Sequence, residues 1–255
     1  MNDKLTARFR GTRTLGSRDR DELFALYARS IDVERSAFEA AIDSADRAIE
    51  YRDGRDVLRG MALVRAYDVE HEGRRQRVIW TGSVLIEPEY RGQSAIETSA
   101  IVYLAREMVR APTARHVWFF DTFSYKSYAL MARNFGEFWP RPDREMPDDE
   151  RSLLDRLARE RYGSRWDPAR GVASSAGKRM REGVAPVPSR TSDPWISYFA
   201  RTNPTYADGT VLVCLCPLDR ANLSVFARRL AARTWRGTLR SAAKPQRPST
   251  TAPAM

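Results

Sequence analysis

Residues 80–96 read WTGSVLIEPEYRGQSAI, an apolar run followed by a turn with Pro88 and Gly92 and by a helical pattern that continues to Arg110. A strand that leads through a turn into a helix aims several unpaired backbone N–H groups at one point in space, together with the positive end of the helix dipole. Phosphate groups bind at such points. The segment therefore predicts an anion-binding turn, and the rest of the chain has to indicate which ligand carries the anion.

The length and composition indicate an ordinary globular protein. The chain has 255 residues, of which 42% are hydrophobic and 30% charged, and it is long enough to bury a substantial core. It contains no apolar run of the roughly 20 residues that span a bilayer, and its start lacks the apolar core of a secretory signal. We expect a cytoplasmic protein without membrane contact. Its one domain would cover residues 1–236, ahead of a disordered tail at 237–255 that is poor in apolar residues.

The net charge of +10 does not by itself indicate a nucleic-acid partner. All but four of the 43 basic residues are arginine, and they are spread along the chain, often beside acids, as in RDRDE at 18–22. Nucleic-acid-binding proteins concentrate such residues on one face or tail. The pattern favours a solvated surface, so nucleic acid is not the favoured partner.

Cysteine and histidine are too few and too scattered for a metal site. Cys214 and Cys216 lie two apart in an apolar run, which on a strand points both side chains to the same face. Two buried thiols in a reducing compartment are the simplest interpretation. His71 and His116 have no partner at ligand spacing, so no metal site is predicted.

Hydrophobic periodicity divides the chain into alternating strands and helices. The predicted strands are residues 5–14, 48–51, 57–67, 76–86, 116–121 and 209–218. The predicted helices are a first one from a cap at Ser17 or Asp19 to about residue 31, then 36–43, 94–110, 125–134, 148–161, 193–201 and 219–235. The stripe expected to be buried on the 94–110 helix is Ala95, Ile96, Ala100, Ile101, Leu104, Ala105 and Met108. We expect residues 137–208 to form a helical insert before the last strand, since a structureless loop of that length is uncommon.

This order of elements resembles the GNAT (N-acetyltransferase) superfamily. The resemblance implies an α/β (α+β) fold with a mixed, mostly antiparallel central sheet flanked by helices, which binds acyl-CoA at a splayed pair of central strands. The phosphate-binding motif of the superfamily is Arg/Gln-x-x-Gly-x-Gly/Ala, and the matching residues are Arg91, Gly92, Gln93, Ser94, Ala95 and Ile96. Ser94 and Ile96 stand where the motif has glycine. The segments WTGSVLIEPEYRGQSA, WFFDTFSYKSYALMARNFGEFWPRP and NPTYADGTVLVCLCPL resemble a little-characterised bacterial branch of the superfamily.

The resemblance implies a coenzyme site along the opening segment. Backbone groups of Val84, Leu85 and Ile86 would bind the pantetheine arm of acetyl-CoA or another acyl-CoA as though it were a further strand. The amides of residues 92–96 would hold the pyrophosphate, with Arg91 nearby. The alternative is an ordinary strand–turn–helix connection without a ligand.

Transfer of an acyl group to an amine needs a base for the ammonium and an acid for the leaving thiolate. In the superfamily the acid is often a tyrosine on the helix after the fifth strand, and here that helix contains Tyr125 and Tyr128. Tyr128 is the preferred candidate, although a tyrosine in an amphipathic helix is more often a packing residue with its hydroxyl at the surface. Asp121 ends a central strand, where its carboxylate can face the cleft or cap the helix that begins near Ser124.

The sequence thus predicts an acyl-CoA-dependent N-acyltransferase. The acyl group, acetyl or longer, would pass to a small-molecule amine by direct attack in a ternary complex. The alternative is a catalytically inactive GNAT-like module that binds an acyl-chain ligand or serves as a scaffold. The residues indicate neither the acceptor nor the oligomeric state.

Overall fold

A mixed eight-stranded sheet forms the centre of the computed structural model, which describes residues 4–184, 188 and 191–242. The strands of the described residues are β1 (Thr6–Gly11), β2 (Ile31–Asp32), β3 (Arg47–Arg52), β4 (Leu58–His71), β5 (Arg74–Ile86), β6 (Arg115–Thr122), β7 (Trp166–Asp167), β8 (Val172–Ser174), β9 (Arg179–Met180) and β10 (Thr210–Pro217). The α-helices are α1 (Ser17–Ala28), α2 (Arg35–Asp43), α3 (Ala95–Arg110), α4 (Tyr125–Asn134), α5 (Asp148–Tyr162), α6 (Pro194–Thr202) and α7 (Arg220–Ala242).

The sheet has the strand order β1-β3-β4-β5-β6-β10-β8-β7. Every neighbouring pair runs antiparallel except β5 and β6, which run parallel. Antiparallel neighbours can follow one another through short turns, whereas the parallel pair needs the crossover that α3 provides. The predicted mixed, mostly antiparallel sheet flanked by helices is confirmed.

A long hairpin of β4 and β5 sets the register of the central strands. Its turn is formed by Glu72 and Gly73, which both have positive φ angles, 50° and 70°. Two consecutive residues with positive φ are typical of the two-residue turns whose twist matches that of the flanking strands. His71 pairs with Arg74 beside this turn, and the ladder continues to Gly60 opposite Ile86.

A β-bulge interrupts this hairpin near the end of β5. Met61 lies opposite Leu85 and Leu63 opposite Gly82, so β5 has one residue more than β4 at this place. Ser83, within the bulge, has a φ of 51°. A bulge of this kind bends its strand and increases the local twist.

The parallel pair of β5 and β6 comes apart just before the bulge. Their pairing extends from Gln76 opposite Arg115 to Thr81 opposite Phe120. Beyond Thr81, β5 continues to Ile86 without a ladder to β6 among the described residues. The two strands therefore leave a gap in the middle of the sheet.

Helices cover both faces of the sheet. On the first face, α1, α2 and α5 pack against a core that includes Trp80 and Phe119. On the second face, α3, α4, α6 and α7 pack against a core that includes Ile79 and Phe120. Because side chains alternate along a strand, Asp121 belongs to the first face with Phe119.

The buried stripe predicted for α3 is partly wrong. Ala100, Ile101 and Ala105 are exposed, and the side chains buried in their place are polar or amphipathic. These are Ser99, Tyr103 and Glu107. Ser99 is hydrogen-bonded to the Tyr51 hydroxyl at 2.8 Å, and Glu107 forms an ion pair with Arg77.

The insert at 137–208 contains more than the predicted helices α5 and α6. Its strands β7 and β8 extend the main sheet beyond β10, and β9 pairs with β2 near the start of the chain. The predicted helical insert before the last strand is confirmed, and it also carries short strands, because the run around Val172 pairs with β10 and the run around Trp166 pairs with β8.

The last helix continues to Ala242, past the predicted end at residue 235 and into the predicted tail. The rest of that tail, residues 243–255, lies outside the described residues. No helix in the described part of the chain combines the length and the apolar character that a membrane crossing requires.

Candidate active site

A cavity of about 950 Å³ occupies the gap between β5 and β6. It reaches from the turn at Arg91–Gln93 on the second face to residues of the insert on the first face, among them Arg161 and Lys178. We call the part bordered by Arg91, Gly92, Gln93, Ile96, Glu97 and Lys126 the turn end. The part bordered by Tyr27, Asp121, Arg161, Tyr162, Arg165 and Lys178 is the insert end.

The turn end is held by hydrogen bonds on both sides of the turn. Arg91 Nε donates to the carbonyl of Ile86 at 3.1 Å, and the Gln93 side chain accepts from the backbone N–H of Leu5 at 2.8 Å. Gly92, between them, is exposed and has a φ of 86°. A Cβ atom on Gly92 would meet no other atom within 4 Å, so the space above this backbone is open.

The N-terminus of α3, the helix that follows the turn, has no side-chain cap. Ser94 occupies the N-cap position of α3, and its side chain makes no capping hydrogen bond. The N–H groups of a first helical turn have no partner within the helix, so an anion can take them here. Glu97 lies in this first turn and lines the cavity, where its carboxylate competes with any anionic ligand.

Two cations line the turn end from opposite sides. Arg91 belongs to the turn, whereas Lys126 comes from the first turn of α4, across the gap. Burial and the charge of Arg91 both lower the pKa of Lys126. A shared anion would relieve the repulsion between these cations. Sequence reasoning missed Lys126, although it is one of only four lysines in the chain.

The cavity brings together most of the residues predicted to bind a coenzyme. Those that line it are Val84, Leu85, Ile86, Arg91, Gly92, Gln93 and Ile96. Ser94 and Ala95 are not among its lining residues, and Ala95 packs against the core of the second face together with Ile96. Ile96 is thus shared between the cavity and the core.

Asp121 is the only carboxylate at the insert end among the described residues that line the cavity. Trp80 Nε1 donates to Asp121 Oδ1 at 3.4 Å, and Arg161 Nε lies 3.8 Å from the same oxygen. The Arg161 guanidinium also lies over the Trp80 ring, with Cζ 3.8 Å from the ring centroid. Asp121 does not cap α4, since Ser124 Oγ accepts the Lys126 N–H at 3.2 Å.

Two buried tyrosines stand beside Asp121. Burial raises the pKa of Tyr27 to about 12; its hydrogen bond with Ser83 opposes the shift and the charge of Asp121 adds to it. Burial also raises the pKa of Tyr162 well above its usual value, and the charge of Asp121 contributes again. The Tyr162 hydroxyl is close to Asp121 and Arg161 but makes no well-formed hydrogen bond within the described residues. Both phenols are neutral proton donors at physiological pH.

The insert adds three cations around this carboxylate, namely Arg161, Arg165 and the half-buried Lys178. The pKa of Lys178 is lowered, first by burial and then by the charges of Arg161 and Arg165, while Asp121 opposes the shift. Sequence reasoning missed all three, because nothing local in the insert distinguishes them from the other basic residues.

Tyr128 lies away from the cavity. Its side chain is fully buried, and its hydroxyl donates to the carbonyl of Pro140 at 2.9 Å. Its ring stacks on Tyr198 at a centroid distance of 5.8 Å, and burial strongly raises its pKa. Neither Tyr128 nor Tyr125 is among the lining residues, so we assign neither of them a part in proton transfer.

No family model matches this sequence, and no curated protein matches it. Solved structures do resemble the fold. A protein of unknown function from Enterococcus faecalis V583, described as a probable N-acyltransferase, is 20% identical over 60% of this chain, with a TM-score of 0.37. The match covers only 43% of the Enterococcus protein, so this chain spans less than half its length.

Two further solved structures show a comparable degree of likeness. The GNAT family N-acetyltransferase YhbS from Escherichia coli, in complex with CoA, is 15% identical over 47% of this chain and 64% of its own, with a TM-score of 0.32. An acyl-CoA N-acyltransferase from Pseudomonas aeruginosa is 14% identical over 51% of this chain and 86% of its own, with a TM-score of 0.38. Because all three TM-scores are below 0.5, the function is inferred from the cavity itself.

Proposed function

We propose that the protein is an acyl-CoA-dependent N-acyltransferase of the GNAT type. It transfers an acetyl or longer acyl group to a small-molecule amine by direct attack in a ternary complex. The observation that supports this function is the cavity between β5 and β6, which joins an anion-binding turn at one end to a carboxylate at the other. The donor and the acceptor would meet in the gap between the strands.

The residues of the turn end suit the phosphates of coenzyme A. The open backbone at Gly92 and the first-turn amides of α3 bind the pyrophosphate, while Arg91 and Lys126 supply positive charge. The backbone of residues 84–86 has no strand partner on the β6 side among the described residues, so the amides of the pantetheine arm can pair with it.

The thioester would then lie near the bulge, between the two ends of the cavity. The amine nitrogen attacks the carbonyl carbon, the C–N bond forms and the C–S bond breaks. Asp121 takes one proton from the ammonium before attack. Tyr27, which is hydrogen-bonded to Ser83 in the bulge, protonates the leaving thiolate, and the second proton lost from nitrogen restores the phenol. Holding both reactants in one cavity supplies much of the rate.

Binding and turnover test this function separately. Saturation with acetyl-CoA or a longer acyl-CoA at about 100 times the dissociation constant would add about 2.7 kcal/mol to the free energy of unfolding. We expect a rise in melting temperature with acyl-CoA, and release of free thiol when an accepted amine is added. If no CoA thioester shifts the melting temperature, the proposal is wrong.

The second candidate function is a GNAT-like binding module without catalysis. Ser94 and Ile96 favour it, because they replace two small residues of the motif, and Glu97 adds negative charge to the turn end. A module of this kind binds CoA but releases no thiol with any amine of a broad panel, whereas the enzyme does both.

A further inference from the structure

We propose that the acceptor is a small amine that also carries an anionic group, and that Arg161, Arg165 and Lys178 bind this group while Asp121 faces the amine. The inference rests on the proposed function and adds the substrate class. Carboxylate and phosphate share the chemistry that these cations recognise, and the experiment below separates the two.

Positive charge exceeds negative charge at the insert end of the cavity. Three cations and one carboxylate line this part of the cavity among the described residues. The cations are also close to one another, since Arg161 and Arg165 both act on the pKa of Lys178. Grouping like charges in a half-buried space costs free energy unless an anion joins them. A bound carboxylate or phosphate would supply that anion.

Three polar groups at the insert end have no hydrogen-bond partner among the described residues. The Lys178 ammonium has no hydrogen bond or ion pair within the described part of the chain, whereas Arg52 and Arg77, which are also well shielded from solvent, are each held by carboxylates. Arg161 Nε and the Tyr162 hydroxyl are buried and have no hydrogen-bond partner among the described residues. Tyr162 is only 7% exposed, and its side chain lines the cavity. Buried polar groups are normally hydrogen-bonded, so we expect a bound ligand to accept hydrogen bonds from these donors.

The insert holds Arg165 and Lys178 in place through its own backbone. Arg165 Nη1 donates to the carbonyl of Ser174 at 2.9 Å, and Ser175 Oγ donates to the carbonyl of Lys178 at 2.6 Å. The strands β7 and β8 pair with each other, and β8 pairs with β10 in the main sheet. The cations therefore stand on a scaffold joined to the sheet, which fixes the distance between the anion and Asp121.

An amine without an anionic group would leave the charge of the three cations uncompensated. The property to measure is therefore the preference for an anionic probe over its counterpart that lacks the anionic group. The probes are matched pairs: amino acids against their carboxamides, and phosphoethanolamine against ethanolamine. Each probe is titrated by calorimetry into the full-length protein saturated with CoA. We expect the anionic member of at least one pair to bind at least tenfold more tightly. The pair that discriminates identifies carboxylate or phosphate.

Single substitutions then show which side chains cause the preference for the anionic probe. Lys178→Met should reduce it to about threefold or less, and Lys178→Arg should keep most of it. Arg170→Met is the matched control, because Arg170 is an exposed cation of the same insert that does not line the cavity. Its preference should equal that of the wild type.

The outcomes separate this inference from the function on which it rests. Equal affinity for both members of every pair, or no binding of any probe to the CoA-saturated protein, overturns the anionic acceptor. A protein that binds no CoA thioester overturns the proposed function instead. The comparison of paired probes needs only the wild type, so a variant that fails to fold does not decide the result.

Discussion

The two ends of the cavity are built in different ways. The turn end is lined by residues of one short stretch, between Arg91 and Glu97, with Lys126 as its one distant addition, and it offers the open backbone at Gly92 and the uncapped start of α3. The insert end consists of side chains from α1, β6, α5, the segment between α5 and β7 and the β8–β9 connection, and all of them except the exposed Arg165 are buried or half-buried. A ligand that every member of an enzyme family shares can be bound by backbone, whereas a particular acceptor needs side chains. Under the proposed function, the donor would bind at the turn end and the insert end would select the acceptor.

The largest expected effect is the loss of turnover in Asp121→Asn. Asparagine can still accept the hydrogen bond from Trp80 but cannot take a proton from the ammonium. General-base catalysis contributes about 10²- to 10⁴-fold, so kcat should fall by that factor. The affinity for CoA should not change, since Asp121 lies at the other end of the cavity. Full turnover in this variant would show that the insert end has no catalytic base at Asp121.

Removal of the Tyr27 hydroxyl should have the next largest effect. Tyr27→Phe removes the proposed acid, and we expect kcat to fall by about 10- to 100-fold. Tyr128→Phe is the matched control: it deletes a buried hydroxyl that is bonded to Pro140, should cost about 1 kcal/mol of stability and should leave kcat unchanged. Steady-state thiol release measures both. If kcat fell in Tyr128→Phe and not in Tyr27→Phe, Tyr128 would be the acid, as the sequence predicted.

Gly82→Ala tests the bulge that lies between the two ends. A Cβ on Gly82 would lie 2.2 Å from the ring of Trp80, which cannot move without disturbing Arg161. Overpacking of this kind costs about 1–3 kcal/mol in the free energy of unfolding. Denaturant unfolding measures it. Gly11→Ala is the control, because its Cβ would meet nothing closer than 3.6 Å. A loss no larger than that of the control would mean that the bulge tolerates a side chain.

Lys126→Met should affect the turn end alone. Loss of one cation from a partly exposed phosphate site should raise the dissociation constant of CoA about 5- to 10-fold, or about 1 kcal/mol, and leave kcat unchanged. Lys126→Arg should retain most of the affinity. A drop in kcat with unchanged CoA affinity would place Lys126 in the chemistry and blur the distinction between the two ends.

The smallest effect concerns the pH dependence of stability. The pKa of Tyr27 is raised from 10 to about 12 in the folded protein, so the folded state keeps a proton that the unfolded state loses between these values. Stability from this group is present below pH 10 and is lost as the pH rises toward 12. Tyr27→Phe should flatten the decline by about 1 kcal/mol or less between pH 9 and 10.5. Melting temperatures across this range measure the difference, and identical slopes would contradict the burial of a neutral phenol.

The fold could be predicted because its signals are local. Alternation along β3, β4 and β5 and the glycine turns between them indicate a meander, and the apolar run of β6 indicates a central strand. The short strands β7 and β8 were missed since a run of two or three residues has no period. On α3, hydrogen bonds to Tyr51 and Arg77 bury Ser99 and Glu107, and no periodicity of apolar residues can show this.

The candidate site was likewise predictable where its residues are close in sequence and unpredictable where only the fold brings them together. Residues 84–86 and 91–96 were predicted from one contiguous stretch, and most of them line the cavity. Asp121 was a candidate because it ends a strand that faces a cleft. Tyr128 was chosen by its position in a helix, but helical spacing does not tell which face meets the cavity and which meets α6. Lys178 and Arg161 are distant in sequence from Asp121, so only the folded chain brings them to it.

The place of β10 has a consequence for the order of events in folding. This strand is the last of the described strands to leave the ribosome, yet it lies between β6 and β8 in the middle of the sheet. Until it arrives, one edge of β6 is unpaired and β8 has no strand that links it to the main sheet, while β1, β3, β4 and β5 can already pair. Contacts between residues so far apart in sequence form slowly. A nascent chain would therefore complete the turn end of its cavity before the insert end, and β6 would be the edge most exposed to aberrant pairing in the interval.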